Sequence, residues 1–593
     1  MSDEGVVSFK IKSDGDLIPD SYQVMSIETE QQVNGISSAT VVLSEPCTSN
    51  KQFPTSSSDH FLPGKKIGIE MGQGTELSKL FSGIVTSQGI SMDSVSGTTL
   101  TVNCQDEAVQ MVSARNNATF PKMKDSAAIS QIIGNYSGLD ASVTATDTEL
   151  PLLQQYNCSD WDFIVTRAEA NGLIVVNENA KVSVIKPDAD TSSVATLKAE
   201  DNLLEFSADL NSLGQIGSVK ASAWDPASQD VIDQEVNDDA SGAGNLTSKK
   251  IAESVGTKEP GMMTTSYASS DDLKDWANAR VVKSTFSKIN GTAVCNGTDK
   301  IKVGSYVTLE GMGTRFNGDH LVSAVSHSME DGFWKTRIEL GLSSAWYSEM
   351  RPDITAPSAS GLLPGIEGLC SAVVKKINDD PDSGFRVMID LPMFNDDDTA
   401  VWARLAQGYA SDGAGFFFYP EVDDEVIVGF LNNDPRFPVI LGGVYSGKRK
   451  PQSDFTPDEK NSKKAIITKS NLQLIFDDEN KVITIKTPGD NSLVLDDKNK
   501  KIEIKDQNGN SVVMSDSGIT IKSGKDITFE ADQKISIKGS QGITQEASGG
   551  DISLKGMNVK HTADTELSLK GNATASVQGG SELTLKGAMV MIN

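Results

Sequence analysis

The side chains best suited to chemistry are few in this chain, and they are scattered. Its four histidines, His60, His320, His327 and His561, form no His-x-His or His-Glu-x-x-His pair, the spacings that place two imidazoles on one metal. A histidine metal site would have to be assembled by symmetry or long-range folding. The cysteines, Cys47, Cys104, Cys158, Cys295 and Cys370, are odd in number and include no Cys-x-x-Cys, against both a disulfide framework and a thiolate zinc site. They read as buried small residues in a reducing cytoplasm. Three acidic runs, Asp396-Asp397-Asp398, Asp423-Asp424-Glu425 and Asp477-Asp478-Glu479, have the carboxylates for acid-base work or calcium binding. They fall at expected turns with no EF-hand glycine or flanking helix, and read as solvated turns. Neither Gly-x-Ser-x-Gly nor a phosphate-cradling Gly-x4-Gly-Lys-Ser/Thr occurs. The expectation is a chain that is not an enzyme and needs no metal or cofactor.

The elements that carry these residues point the same way. The 593 residues hold 53 Lys+Arg against 81 Asp+Glu, a net charge of -28. Such a surface repels phosphate backbones and anionic headgroups, so no nucleic-acid partner is expected. Apolar content of 38% and aromatic content of 6% suit an elongated β protein. The opening MSDEGVVSFK lacks a basic n-region and an apolar h-region, and no run approaches the length of a membrane span; assembly in the cytoplasm without a signal peptide is expected.

From about residue 482 onward, apolar pairs one residue apart recur roughly every eight positions, from Ile483/Ile485, Leu493/Leu495 and Ile502/Ile504 through Ile535/Ile537 to Leu583/Leu585. The members of a pair share one strand face, and the residue between them points away. Lys-Gly or Lys-Ser-Gly at Lys522, Lys538, Lys555, Lys570 and Lys586 supplies a charged exit and a corner glycine. A flat antiparallel sheet would leave one apolar face wet, and eight residues make one side of a triangle rather than a solenoid coil. The economical arrangement is three chains wound about one axis as a triangular β-prism, stacked at ~4.8 Å per strand.

Upstream, residues 1–115 alternate strand-like runs with Gly/Ser/Asp turns, as in a small barrel. Gly64-x-x-Ile67-x-Ile69-Glu70 followed by Phe81-x-Gly83 reappears as Gly304-x-x-Val307-x-Leu309-Glu310 followed by Phe316-x-Gly318, suggesting two related β domains. Between them, Asp125–Gly134 and a stretch from Ser159 or Asp160 to Gly172 have the capping and spacing of helices. Five short strands near 369–377, 385–391, 401–405, 425–430 and 439–442 suit an OB-like barrel. The basic stretch after it, with Lys448, Arg449, Lys450, Lys460, Lys463 and Lys464, reads as a solvated linker.

This order resembles VgrG, the spike family of type VI secretion, and equally the spikes of extracellular contractile injection particles. Tyr156-x-x-Ser159-Asp160-x-x-Phe163-Ile164-x-x-Arg167 through Glu169 to Gly172 is similar to a helix signature of that family, with the glutamate displaced. Trp402-x-Arg404, Asp423–Phe430, Asn433–Ile440 and Gly442-Gly443-Val444-Tyr445 are similar to its OB signature. The resemblance implies a mainly β chain: hub β-barrel domain 1 at 1–115, a mixed α/β insert at 116–204, hub β-barrel domain 2 at 205–350, an OB fold at 366–447, a linker at 448–465 and an intertwined trimeric β-helix at 466–593. It further implies a pseudo-sixfold hub. Some members of the family carry a lysozyme before the column, an enzymatic domain after it or an iron-binding His-x-His tip; with about 18 residues between barrel and column and a single late histidine, His561, none of these is expected here.

The function so implied is a homotrimeric spike that connects a hexameric inner tube to the tip and punctures a target envelope, touching the target membrane transiently and delivering effector cargo. Baseplate proteins and a PAAR-type tip protein are the further partners, the tip seated on Met589, Val590, Met591, Ile592 and Asn593. The alternatives are a phage-like tail spike or adhesin, which would carry an aromatic-rich head, and a cell-wall hydrolase with an unrecognised carboxylate pair between residues 120 and 350.

Overall fold

The computed structural model describes residues 6–46, 53–95, 97–257, 260–394 and 400–592. Cys47, the Asp396-Asp397-Asp398 run and Asn593 lie outside them. The chain divides into two units, one ending at Val444 and one beginning at Tyr445.

The first unit is built on a duplicated six-strand motif. Its first copy comprises β1 (Val7–Ser13), β2 (Val24–Gln32), β3 (Ser38–Ser44), β4 (Lys66–Gln73), β5 (Glu76–Asp93) and β6 (Gly97–Gln105). The second comprises β7 (Ala195–Lys198), β8 (Leu203–Leu210), β9 (Ile289–Asn296), β10 (Tyr306–Glu310), β11 (Gly318–Glu330) and β12 (Phe333–Leu340). The strand order is β2-β3-β6-β5-β4-β1 in one and β8-β9-β12-β11-β10-β7 in the other. One pairing differs in sense: β1 runs antiparallel to β4, whereas β7 runs parallel to β10.

The equivalence extends to single residues. A bulge interrupts β5 against β6 between Val85 and Ser87, and β11 against β12 between Val322 and Ala324. Another interrupts β2 against β3 between Val24 and Ser26, and β8 against β9 between Leu203 and Glu205. Gly64 (φ 95°) and Gly304 (φ 80°) both occupy the left-handed region, which a β-carbon disfavours. Their amides donate to the Val85 and Val322 carbonyls, each at 2.8 Å. The Phe-x-Gly part of the sequence match, however, is out of register. Gly83 lies opposite Ile67, but His320, not Gly318, lies opposite Val307, and Phe316 sits in a turn. The β4–β5 connection is a tight turn and the β10–β11 connection a longer loop, so sequence spacing slips there.

Each copy encloses its own core: Ile27, Val41, Leu43, Ile67, Ile69 and Val102 in the first, Ala293, Val307, Leu309, Val322, Ile338 and Leu340 in the second. Alternation along the strands puts these residues on one face. The copies also share a sheet, because β11 pairs antiparallel with β2 from Ala324↔Gln32 to Glu330↔Ser26. Met329 and Trp334 of the second copy thereby enter the first copy's core.

The insert between the copies contains helices α1 (Asp125–Ile133) and α2 (Asp160–Ala170). Ser159 caps α2, its hydroxyl accepting from the Asp162 amide at 3.0 Å. Two further helices, α3 (Ser248–Val255) and α4 (Ser270–Ser287), lie inside the segment expected to be a plain barrel. With the sheet formed by strands 230–237, 218–225 and 261–264, they form a second insert around Val219, Ala221, Ala223, Leu273 and Ala277. The sequence carried a signal for α4, the Ser269/Asp272 capping box, because that reciprocal pair satisfies two orphan amides.

The five strands expected of the OB barrel form a closed barrel. They are β13 (Cys370–Lys376), β14 (Val387–Asp390), β15 (Val401–Leu405), β16 (Glu425–Phe430) and β17 (Pro438–Gly443), in the order β13-β14-β15-β17-β16. Ala372, Val374, Val387, Ile389, Ala403, Val426, Val428 and Ile440 fill it, all fully buried.

In the second unit the strands that carry the pairs from Ile483/Ile485 to Ile519/Ile521 find neighbours within their own chain, which a winding with one strand per chain in turn does not require. They belong to a seven-stranded antiparallel meander within one chain: β18 (Lys463–Ile467), β19 (Gln473–Asp477), β20 (Val482–Lys486), β21 (Ser492–Asp496), β22 (Lys501–Lys505), β23 (Ser511–Ser515) and β24 (Gly518–Lys522). From Gln473 to Ser511 successive strands start nine, ten, nine and ten residues apart, enough for a five-residue strand and a reversing turn. Only from Ile519 through Ile527 and Ile535 to Ile543 does the step become eight. No residue from 523 to 592 is in a strand with a partner in its own chain, and every residue from Gly524 to Ile592 is exposed.

Candidate functional site

The candidate chemical residues do not converge. Among the described residues no group of three or more His, Cys, Asp and Glu could hold a metal ion. His320 and His327 lie on β11 and are 3% and 5% exposed. His327 Nδ1 is 3.0 Å from Thr336 Oγ1, and burial drives its pKa down to about 4, with Asp299 pulling the other way. The His60 carbonyl accepts from Ser13 Oγ at 2.6 Å, and His561 is exposed. Cys104 and Cys295 are buried, whereas Cys158 and Cys370 are half-buried; burial pushes the Cys104 thiol up to about 12, far from a reactive thiolate.

The acidic runs build turns. Asp477 accepts from the Asn480 amide and side chain, each at 3.0 Å, and Asp496 accepts likewise from Asn499 at 2.9 and 2.8 Å. These are Asx turns, in which a carboxylate mimics a backbone carbonyl. Asp423, two residues before β16, adopts φ 69°, and Asp424 accepts from the Glu421 amide at 2.9 Å.

The α2 signature residues are structural anchors. Asp160 accepts from Tyr136 Oη at 2.7 Å, Gln155 Nε2 at 2.7 Å and Asn116 Nδ2 at 3.0 Å. Arg167 holds Asp125 through two bonds of 2.7 and 2.8 Å. Glu169 meets Lys283 of α4 at 2.5 Å and accepts from the Tyr347 amide at 2.7 Å. Lys283 also donates to the Ala345 carbonyl and lies 5.1 Å from the centre of the Trp346 ring. Arg115 donates to the carbonyls of Asn157, Asp353, Ile354 and Thr355, strapping the segment that leaves β12 to the insert. These carboxylates, the strongest candidates for a hidden hydrolytic pair, each carry a separate set of donors.

What the chain does present is unpartnered apolar surface in repeating register. In the meander, Leu474↔Ile485↔Leu493↔Ile504↔Val512↔Ile521 and Phe476↔Ile483↔Leu495↔Ile502↔Met514↔Ile519 run as two ladders on one face. Ile483 is still 38% and Ile504 47% exposed, so folding back in one chain does not dry that face. Farther on, Ile535, Ile537, Leu567, Leu569, Leu583 and Leu585 are all more than half exposed. The expected docking residues Met589, Val590, Met591 and Ile592 are 79%, 52%, 81% and 86% exposed. An apolar surface of this extent marks an interaction site.

The sequence reading missed two sheet edges in the first unit. Among the described residues, β5 from Thr86 to Met92 has a strand partner only on its β6 side, and β8 only in β9. The available signal was Ile90 and Met92, apolar positions in alternation that are 52% and 78% exposed.

Comparison with known proteins gives a domain order. Residues 3–331 match the Alg8 N-terminal domain, residues 370–445 the type VI secretion system/phage-baseplate injector OB domain, and residues 482–593 the phage baseplate V C-terminal trimerisation domain. Over 148 residues the chain is 31% identical to the type VI secretion system spike protein VgrG4b of Pseudomonas aeruginosa, covering 24% of this chain and 18% of that protein. Over 73 residues it is 36% identical to the actin cross-linking toxin VgrG1 of Vibrio cholerae, covering 12% of this chain and 6% of that protein. The chain thus spans less than a fifth of the length of either relative. A solved tail protein from Neisseria meningitidis superposes with a TM-score of 0.43 at 12% identity, over 57% of this chain and 98% of that one. The E. coli c3393 protein, a component of the type VI secretion system, gives 0.38 at 12% identity, over 73% and 99%. With more than half of its length in the first of these domains, and the injector OB and trimerisation domains following in order, the chain belongs to the Alg8 N-terminal domain family and is VgrG-like in its architecture.

Proposed function

We propose that this chain is the homotrimeric central spike of a contractile injection apparatus, joining a hexameric inner tube to the tip and puncturing a target envelope to deliver effectors. One observation carries the reading: residues 523–592 have no strand partner in their own chain, yet they repeat apolar pairs at exposed positions. Two further copies would supply the missing partners and bury those pairs, and the trimerisation domain covers this stretch. Three entwined chains part only by disentangling, so the needle's resistance is kinetic.

In this reading the protein catalyses nothing and contributes stiffness and docking surfaces. Baseplate proteins surround the hub. Met589, Val590, Met591, Ile592 and Asn593 receive a PAAR-type tip protein, contact with the target membrane is transient, and the work is supplied by contraction elsewhere. The test is the mass of the purified full chain by light scattering, with and without dodecyl sulfate. A three-chain mass that persists in detergent is expected; a monomer overturns the proposal.

A further inference from the structure

Between residues 523 and 587 the chain advances in short straight sides separated by bends, at 524–525, 532–533, 540–541, 548–550, 557, 564–565, 572–573 and 580–581. The residues two and four past each bend share one face of their side, and they are the repeating pairs. Phe529, Ile537, Leu554, Leu569, Val577 and Leu585 take the position four past a bend; Gln545 and His561 take it on the two remaining sides. The step from Ile543 to Ile552 is nine residues and that from Ile552 to Val559 is seven, so a short side follows a long one and the register is restored. His561 then stands eight residues before Leu569, as Leu569 stands eight before Val577. Its side chain is exposed in one chain, but on the face that the proposed three-chain core buries.

We propose that the three copies of His561 in the assembled spike hold one divalent transition-metal ion of the class that imidazole ligates, such as zinc, on the threefold axis. The inference rests on the trimer proposed above: within one chain His561 has no second ligand beside it, and symmetry supplies the other two. Equivalent residues of three chains wound about one axis lie at one height. Leu554 and Leu569 hold the same position on the sides before and after, so the three imidazoles meet between apolar layers. A polar atom buried there without a partner is costly. The two nitrogens of an imidazole point away from each other, so three rings about an axis cannot satisfy one another in a closed circle. Each can turn one nitrogen inward, and the three lone pairs then converge on one point. Gln545 differs, because an amide is both donor and acceptor and three of them can bond among themselves. Three neutral imidazoles suit zinc, copper, iron or nickel and leave a further position for a water or a small anion.

The test uses the full chain, made without a polyhistidine tag. Elemental analysis of the purified protein is expected to find about one zinc or other first-row ion per three chains. His561→Leu places at this position the residue type of Leu554 and Leu569; it is expected to keep the three-chain mass by light scattering and to lose the ion, while His60→Asn in the first unit keeps both. A second reading needs no variant: the parent chain expressed with cobalt(II) in place of zinc is expected to show the visible absorption bands of four-coordinate cobalt, stable to dialysis. A trimer that holds no ion at this stoichiometry and shows no cobalt bands, or one that holds the ion equally in His561→Leu, overturns the site and leaves the spike reading intact. A monomer overturns both.

Discussion

Lys283 Nζ on α4 lies 2.5 Å from Glu169 Oε1 on α2, and each side chain is only 9% exposed. The pair ties the insert between the two copies to the insert within the second copy. Lys283→Met alone strands a buried carboxylate, and the cost is about 3–5 kcal/mol. Combining it with Glu169→Leu restores most of the loss, because neither charge then lacks a partner. The apparent melting temperature of the single and double variants checks this.

His327 makes hub stability depend on pH. Burial lowers its folded-state pKa to about 4, whereas the unfolded imidazole titrates near 6.5. Between these values the unfolded chain binds more protons, so stability rises with pH through that window. The contribution is complete above about pH 6.5 and is lost on acidification toward pH 4, about 3 kcal/mol in total. Melting temperatures measured from pH 7 down to pH 4 should fall, and His327→Asn should flatten the decline.

Arg115 satisfies four carbonyls, three of them in the segment from Asp353 to Thr355. Arg115→Ala removes charge-assisted bonds worth about 1.5–3 kcal/mol each and leaves that segment without its strap. Limited proteolysis is expected to cut between residues 351 and 366 in the variant faster than in the parent, while the barrel of β13 to β17 stays resistant.

Ile535 and Ile537 differ from the meander pairs in having no neighbouring strand within the chain. Ile535→Asp places a charge in the proposed three-chain core in triplicate. Loss of the detergent-resistant trimer is expected, whereas Ser536→Asp, on the opposite face of the strand, should keep it. Light scattering and unheated denaturing gels read both outcomes.

Much of the architecture was legible because it is local. The capped α2 helix, the alternation in the five OB strands and the two-residue apolar pairs all rest on spacing, which fixes faces without knowledge of partners. The duplication was visible at Gly64 and Gly304, because left-handed backbone at that corner selects glycine. It was lost at Phe81 and Phe316, where connections of unequal length break the correspondence between spacing and register. Ser269 and Asp272 marked α4, but their signal lay inside a strand-rich stretch.

The sequence by itself determined that the chain from about residue 482 onward repeats apolar pairs that share one face, and that no run of this stretch resembles a packed core. Only the tertiary structure decided that residues 463–522 turn back on themselves while 523–592 do not, because pairing depends on whether nine or ten residues suffice to reverse a strand or eight must carry it onward. It alone exposed the edges of β5 and β8, since an edge is defined by the absence of a neighbour, and neighbours in this sheet are set by contacts between residues far apart in the chain.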